Sequence, residues 1–107
     1  MTSKLSVGKM ANMKAELITR YRDIADDETG VEMVVWRVAV SLSPSEHYYK
    51  YRLVYLVSGK RVVGFDNERG KGDHRHVGNR QLPYEFSGID QLIDDFIEEV
   101  ARWKREH

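Results

Sequence analysis

Tyr48-Tyr49-Lys50-Tyr51-Arg52-Leu53-Val54-Tyr55-Leu56-Val57-Ser58-Gly59-Lys60-Arg61-Val62-Val63-Gly64-Phe65-Asp66 is the stretch that decides the fold. Tyr49, Tyr51, Leu53, Tyr55 and Val57 alternate with Tyr48, Lys50, Arg52, Val54 and Leu56. That is the period of two that a strand imposes on its side chains. Ser58-Gly59 has the length and composition of a tight hairpin turn. Lys60 to Asp66 then returns as the antiparallel partner.

The same reading extends towards the N-terminus. Ser41 to Glu46, with Pro44, reads as a loop, and Val31 to Val40 as a strand whose Val34, Trp36, Val38 and Val40 share a core face. Asp26-Asp27-Glu28-Thr29-Gly30 is a turn by composition. Lys14 to Ala25 is a further strand, with Ala15, Leu17, Thr19 and Tyr21 on one face and Glu16, Ile18, Arg20 and Arg22 on the other. Residues 1–12 show little periodicity and are expected to form a flexible tail. Met13, where patterned sequence begins, is a candidate internal start.

Towards the C-terminus, Pro83-Tyr84-Glu85-Phe86 leads into a helix with Ser87 as cap and Asp90 at its third position. Ile89, Leu92, Ile93, Phe96, Val100 and Trp103 form one apolar stripe at helical spacing. Lys104 and Arg105 near its end, and acids in its first turns, suit the helix dipole. The expectation is a single α+β domain over 13–107: an antiparallel meander of four to five strands with the C-terminal helix packed on one face.

A chain of 107 residues supports one modest core. Its 17 basic and 17 acidic residues balance, so a nucleic-acid role has to rest on local asymmetry. From Lys60 to Arg80 six basic residues (Lys60, Arg61, Arg69, Lys71, Arg75, Arg80) face three acidic ones (Asp66, Glu68, Asp73), a local charge of +3. From Asp90 to Glu99 there are five acids and no base, a face that repels a polyanion or meets a basic partner, and is most simply solvated. There is no cysteine, which excludes disulfides and thiolate chemistry and fits a cytoplasmic protein. No apolar run approaches the roughly 18 residues of a membrane span, and the first residues, with two lysines and no apolar stretch, do not read as a secretory signal.

The chemistry concentrates in Gly64 to Gly78, read as a loop with four glycines, His74 and His76. Glycine allows close approach of the backbone to a ligand, and histidine titrates near neutrality. In an extended segment the two imidazoles project the same way, roughly 6.5 Å apart at about 3.3 Å per residue. That spacing suits one phosphodiester. His74 and His76 would serve as base and acid in attack by the 2′-hydroxyl of RNA, with Arg75, Lys71 or Arg80 stabilising charge and no metal required. The same pair is compatible with a purely structural role, or with a metal completed by Asp66, Asp73 or His47, although two histidines alone do not make a site. Gly70-Lys71-Gly72 lacks the spacing of a phosphate-binding loop. Tyr51 and Arg52, in the tyrosine-rich strand, could stack bases and hold phosphate, although tyrosines in strands more often pack. Arg69 and Asn67 complete the nucleic-acid-binding set.

Tyr49-Lys50-Tyr51-Arg52, Phe65-Asp66-Asn67, Gly72-Asp73-His74-Arg75-His76-Val77-Gly78, Pro83-Tyr84-Glu85-Phe86 and Leu92 to Phe96 together resemble the TumE-type toxin family of toxin–antitoxin systems. The likeness runs from about Met13 to Trp103, and Lys71 to His76 is its most specific part. It implies a small toxin bound and neutralised by a cognate antitoxin, often one with a helix-turn-helix. RNA as the target is the expectation from the histidine-bearing segment itself, with no cofactor, no membrane, and a homodimer compatible with the pattern. The competing expectation is a non-enzymatic module that grips nucleic acid or protein within an antitoxin–DNA complex.

Overall fold

A computed structural model describes residues 15–25 and 28–107. The expected tail at 1–12, the start at Met13 and the Asp26-Asp27 part of the turn lie outside them. The elements are β1 (Glu16–Ile24), β2 (Gly30–Arg37), β3 (Tyr49–Val57), β4 (Lys60–Glu68), β5 (Gly72–Val77), β6 (Arg80–Pro83) and helix α1 (Ile89–Glu106). The strands form one antiparallel sheet in the order β1-β2-β3-β4-β5-β6. The meander with a C-terminal helix is as expected, but it has six strands rather than four or five. The segment read as a glycine- and histidine-rich loop is itself a hairpin: β4 continues to Glu68, the chain turns at Arg69–Lys71, and β5 returns paired to it.

Ser58 and Gly59 both have positive φ, 53° and 76°, the twist that favours two-residue hairpins. Gly72 needs its missing side chain, since φ is +75° and an added Cβ would stand 3.0 Å from Pro44 Cγ. The adjoining turn is fixed by Lys71 N–H donating to Glu68 O and Gly70 N–H donating to Ser43 O.

One sheet face lies under α1. Tyr51, Leu53 and Tyr55 of β3, Val63 and Phe65 of β4, and Val35 of β2 pack with Leu92, Phe96 and Val100 of the helix stripe. Phe65 and Phe96 meet edge-on at 5.9 Å, a favoured aromatic geometry. The core face of β2 is not the expected one. Val35 stands opposite Tyr51 and Met33 opposite Leu53, so Val34 and Trp36 project to the other side, and β2 ends at Arg37, beyond which Val38 is buried as expected and Val40 is exposed. Both faces of this strand are apolar, and only its pairing with β3 selects between them. In β1 the register shifts between Leu17 and Thr19, a bulge that places these residues on opposite faces and breaks the expected alternation. Ser87 does not cap α1. The N-cap is Gly88, with no side-chain cap bond.

Candidate functional site

Residues directly opposite one another in a sheet share a face, and the register therefore sorts the expected site residues. His74 pairs with Asp66 and His76 with Gly64, whereas Arg75 pairs with Phe65 and Asp73 with Asn67. His74, His76 and Asp66 thus stand on the helix-free face, the one opposite α1 that no helix among the described residues covers. Arg75, which sits between the two histidines in sequence, projects to the opposite face and pairs with Glu99 of α1 at 3.6 Å. The expectation that Arg75 stabilises charge beside the histidines fails for this geometric reason.

On the open face, three side chains converge. His74 is almost wholly buried. Its Nδ1 lies 3.2 Å from Gly72 O. A carbonyl can only accept, so Nδ1 carries a proton. Its Nε2 lies 2.6 Å from Asp66 Oδ1, and His76 Nε2 lies 3.9 Å from that same oxygen. The rings are 4.9 Å apart centre to centre, closer than the extended-strand expectation because both lean towards Asp66. Asp66 Oδ1 is shut off from solvent without an aligned hydrogen bond. Burial, and then the Arg61 guanidinium, hold the His76 imidazole below the usual histidine range, against a smaller pull from Asp66. Arg61 lies over Gly64, where its Cδ would stand 2.8 Å from an added Cβ. Gly64 therefore makes room for a cation beside His76. The sequence offers Asp66 only as a metal ligand and Arg61 only within a charge count; strand alternation is the signal that assigns both to the histidine face.

The helix-free face extends this cluster across the sheet. Arg20 and Arg22 of β1 pair with Val34 and Glu32, which in turn face Arg52 and Val54. Arg52 stands opposite Asp66. With Lys50 and Arg61 there are, among the described residues, five strand cations on this face against Glu32, Asp66 and Glu68, and Trp36 stands among them. Arg22 is paired with Glu32 at 2.9 Å and Arg52 lies 3.9 Å from it. Arg20, Arg22 and Arg52 border a shallow hollow of about 250 Å³. Arg52 is the one expected nucleic-acid contact that lies here. Arg69 is exposed in the hairpin turn. Lys71, also in that turn, pairs with Glu68 at 3.6 Å. Arg80 stands opposite Val77, on the helix side.

Tyr51 and Asn67 are fully buried, so neither presents a surface to a ligand. Burial, and then the Asp73 carboxylate, push the Tyr51 hydroxyl far above the usual tyrosine range. Asn67 Oδ1 accepts from Tyr51 N–H at 3.0 Å and Nδ2 donates to Tyr49 O at 2.8 Å, which closes the β3–β4 ladder beyond its last register pair. His47 is also accounted for. Its Nδ1 accepts from Tyr49 N–H at 3.2 Å, and its Nε2 lies 2.7 Å from Asp73, which also accepts from the Ser45 hydroxyl. Both ring nitrogens of His47 thus have partners, and the ring stacks on Phe86 at 3.8 Å. Neither His47 nor Asp73 reaches the His74–His76 cluster.

Two expected results follow from these placements. Arg75→Ala leaves Glu99, itself buried, with only Arg102 at 3.8 Å, and should cost about 1–3 kcal/mol. The urea midpoint reads it, and an unchanged midpoint would remove the role of this ion pair in anchoring α1. For His76, the folded-state titration is depressed, so below about pH 6.5 the unfolded chain binds the proton first. Stability is therefore lost as pH falls from 6.5 through the lowered folded value. His76→Gln should lose less over that window, seen as a smaller drop in its urea midpoint than in that of the wild type between pH 7.5 and 5.5.

Together these features define an antiparallel sheet with one helix on one face and a histidine–carboxylate centre in a cationic surface on the other. The chain belongs to the TumE toxin family: the family model described as Toxin TumE matches residues 14–104. Such a toxin is one half of a toxin–antitoxin system, and its partner is an antitoxin. No curated protein and no solved structure matches the chain significantly. None of the described helices is long and apolar enough to cross a membrane.

Proposed function

We propose that this toxin inhibits growth by binding RNA across its helix-free sheet face and cleaving it at Asp66, His74 and His76 without a metal ion. The observation that carries this reading is the convergence of both imidazoles on one buried carboxylate oxygen, at 2.6 and 3.9 Å, beside the Arg61 cation. His76, held in its neutral form near pH 7, takes the proton of the 2′-hydroxyl. The 2′-oxygen attacks phosphorus, and Arg61 stabilises the charge on the nonbridging oxygens. The bond to the 5′-oxygen breaks, and that oxygen takes the proton held between His74 Nε2 and Asp66. The products are a 2′,3′-cyclic phosphate and a 5′-hydroxyl. Arg20, Arg22, Arg52 and Lys50 would track the backbone, and Arg69 and Lys71 would extend the contact at the hairpin tip.

A second reading is favoured by the burial of His74, which is also what a histidine with a structural role shows. In that reading the same face grips nucleic acid, within an antitoxin–DNA complex or otherwise, and breaks no bond. Induced expression of the wild type against His74→Ala/His76→Ala, scored for growth and RNA integrity at matched soluble protein, separates the two. Arrest with RNA fragmentation, both lost in the variant, supports cleavage. Arrest that survives the substitution supports binding alone.

A further inference from the structure

We infer that Asp66, His74 and His76 also form a binding site for a divalent transition-metal ion of the zinc type. Their ligand atoms all lie within 4.8 Å of one another. A zinc ion holds nitrogen and oxygen ligands at about 2.0–2.2 Å, so its ligands lie no more than roughly 4 Å apart. The contacts of 2.6 and 3.9 Å to Asp66 Oδ1 fall on either side of the usual ligand spacing, and small side-chain rotations bring all three atoms onto one ion. Two imidazoles and one carboxylate select zinc and its neighbours over magnesium or calcium, which prefer all-oxygen sites.

Three further features fit a ligand set. The Gly72 carbonyl holds the Nδ1 proton of His74, so that release of the Nε2 proton leaves a lone pair facing Asp66, the tautomer that outer-shell partners fix in metal-bound histidines. Asp66 Oδ1 is enclosed and has no aligned hydrogen-bond donor, and a bound cation would supply the missing partner. All three residues stand on paired strands rather than on a mobile turn, and His76 and Asp66 remain partly open on the helix-free face. A fourth position is left there for water or a phosphate oxygen. Arg61 opposes a second cation, so the site is weaker than an enclosed structural zinc centre.

The consequence for activity rests on the cleavage reading above. Ligation takes the Nε2 lone pairs of both imidazoles, the groups that move protons in that reading. Metal and metal-free cleavage therefore exclude one another, and zinc acts as an inhibitor.

The test is a cobalt(II) titration of the full chain followed by visible d–d absorption, with zinc competition, on wild type, Asp66→Asn, His74→Ala and His76→Gln. His76→Gln lies at a partly exposed position, and its thermal unfolding verifies that it is folded. As a readout on unmutated protein, zinc should shift the imidazole resonances of His74 and His76 and leave those of His47 in place. The expected result is one cobalt per chain with inner-shell absorption, displaced by zinc, and at least tenfold weaker in folded His76→Gln. No d–d band, or equal binding in every folded variant, overturns the site. The activity arm separates the two proposals. Zinc inhibition relieved by chelator supports both. Cleavage abolished by chelator and restored by zinc keeps the site and refutes metal-free cleavage, and a protein that binds cobalt but never cleaves RNA keeps the site alone.

Discussion

His76→Ala should slow RNA cleavage by the purified toxin by about 10²–10⁴-fold, the usual contribution of a positioned acid or base, while the protein unfolds at nearly the wild-type temperature. The two halves of this expectation come from the same geometry. His76 is partly exposed at the edge of the cluster, and its nearest partner, Asp66 Oδ1, is 3.9 Å away, too far for a hydrogen bond that the fold would miss. Its loss therefore removes chemistry and little else. His74 differs: it is nearly buried, held by Gly72 O and pressed against Asp66, so His74→Ala should lose both cleavage and stability. A fluorogenic oligoribonucleotide gives the rate and circular dichroism the melting temperature. If His76→Ala cleaves at the wild-type rate, the acid–base assignment falls and the binding-only reading takes its place.

Strand periodicity carried most of the fold and less of the site. The β3–β4 hairpin, its Ser58-Gly59 turn and the α1 stripe follow from alternation and helical spacing, because in each case one face is clearly apolar. β2 did not follow, since Val31, Met33 and Val35 on one face compete with Val34 and Trp36 on the other, and only the partner strand decides. β5 and β6 were hidden because their glycines and charges resemble a loop, although the glycines serve the turns at either end. His74 and His76 were legible as a pair by residue type alone. The alternation that joined them also removes Arg75 from their side. The charge count over Lys60 to Arg80 shows the same effect: of its six cations Arg61 is the one that strand register sets beside the histidines, and the cationic surface is completed by Arg20, Arg22, Lys50 and Arg52 from three other strands. A linear segment of charge is not a patch unless its residues share a face.

Asn67→Ala should destabilise the protein by about 3 kcal/mol, a large share of the 5–15 kcal/mol by which a domain of this kind is stable. The sequence placed Asn67 at a nucleic-acid surface, and an exposed contact residue can be truncated with little change, within about 0.5 kcal/mol. The structure makes it a buried substitute for missing ladder bonds. Truncation leaves the Tyr51 N–H and the Tyr49 carbonyl without partners in the interior, at about 1–3 kcal/mol for each unsatisfied group. Tyr51 anchors the core of β3, and Lys50, which donates to the Asn67 carbonyl, stands on the cationic face, so loosening this point disturbs both sides of the sheet. Asn67→Asp tests the argument more sharply, because it preserves shape. It keeps an acceptor for Tyr51 N–H but sets a carboxylate oxygen 2.8 Å from Tyr49 O, where the amide had donated. It should therefore be no more stable than Asn67→Ala at pH 7, despite losing no volume. Urea unfolding of the two variants measures this. A wild-type midpoint in Asn67→Ala together with weakened RNA binding would return Asn67 to the surface role.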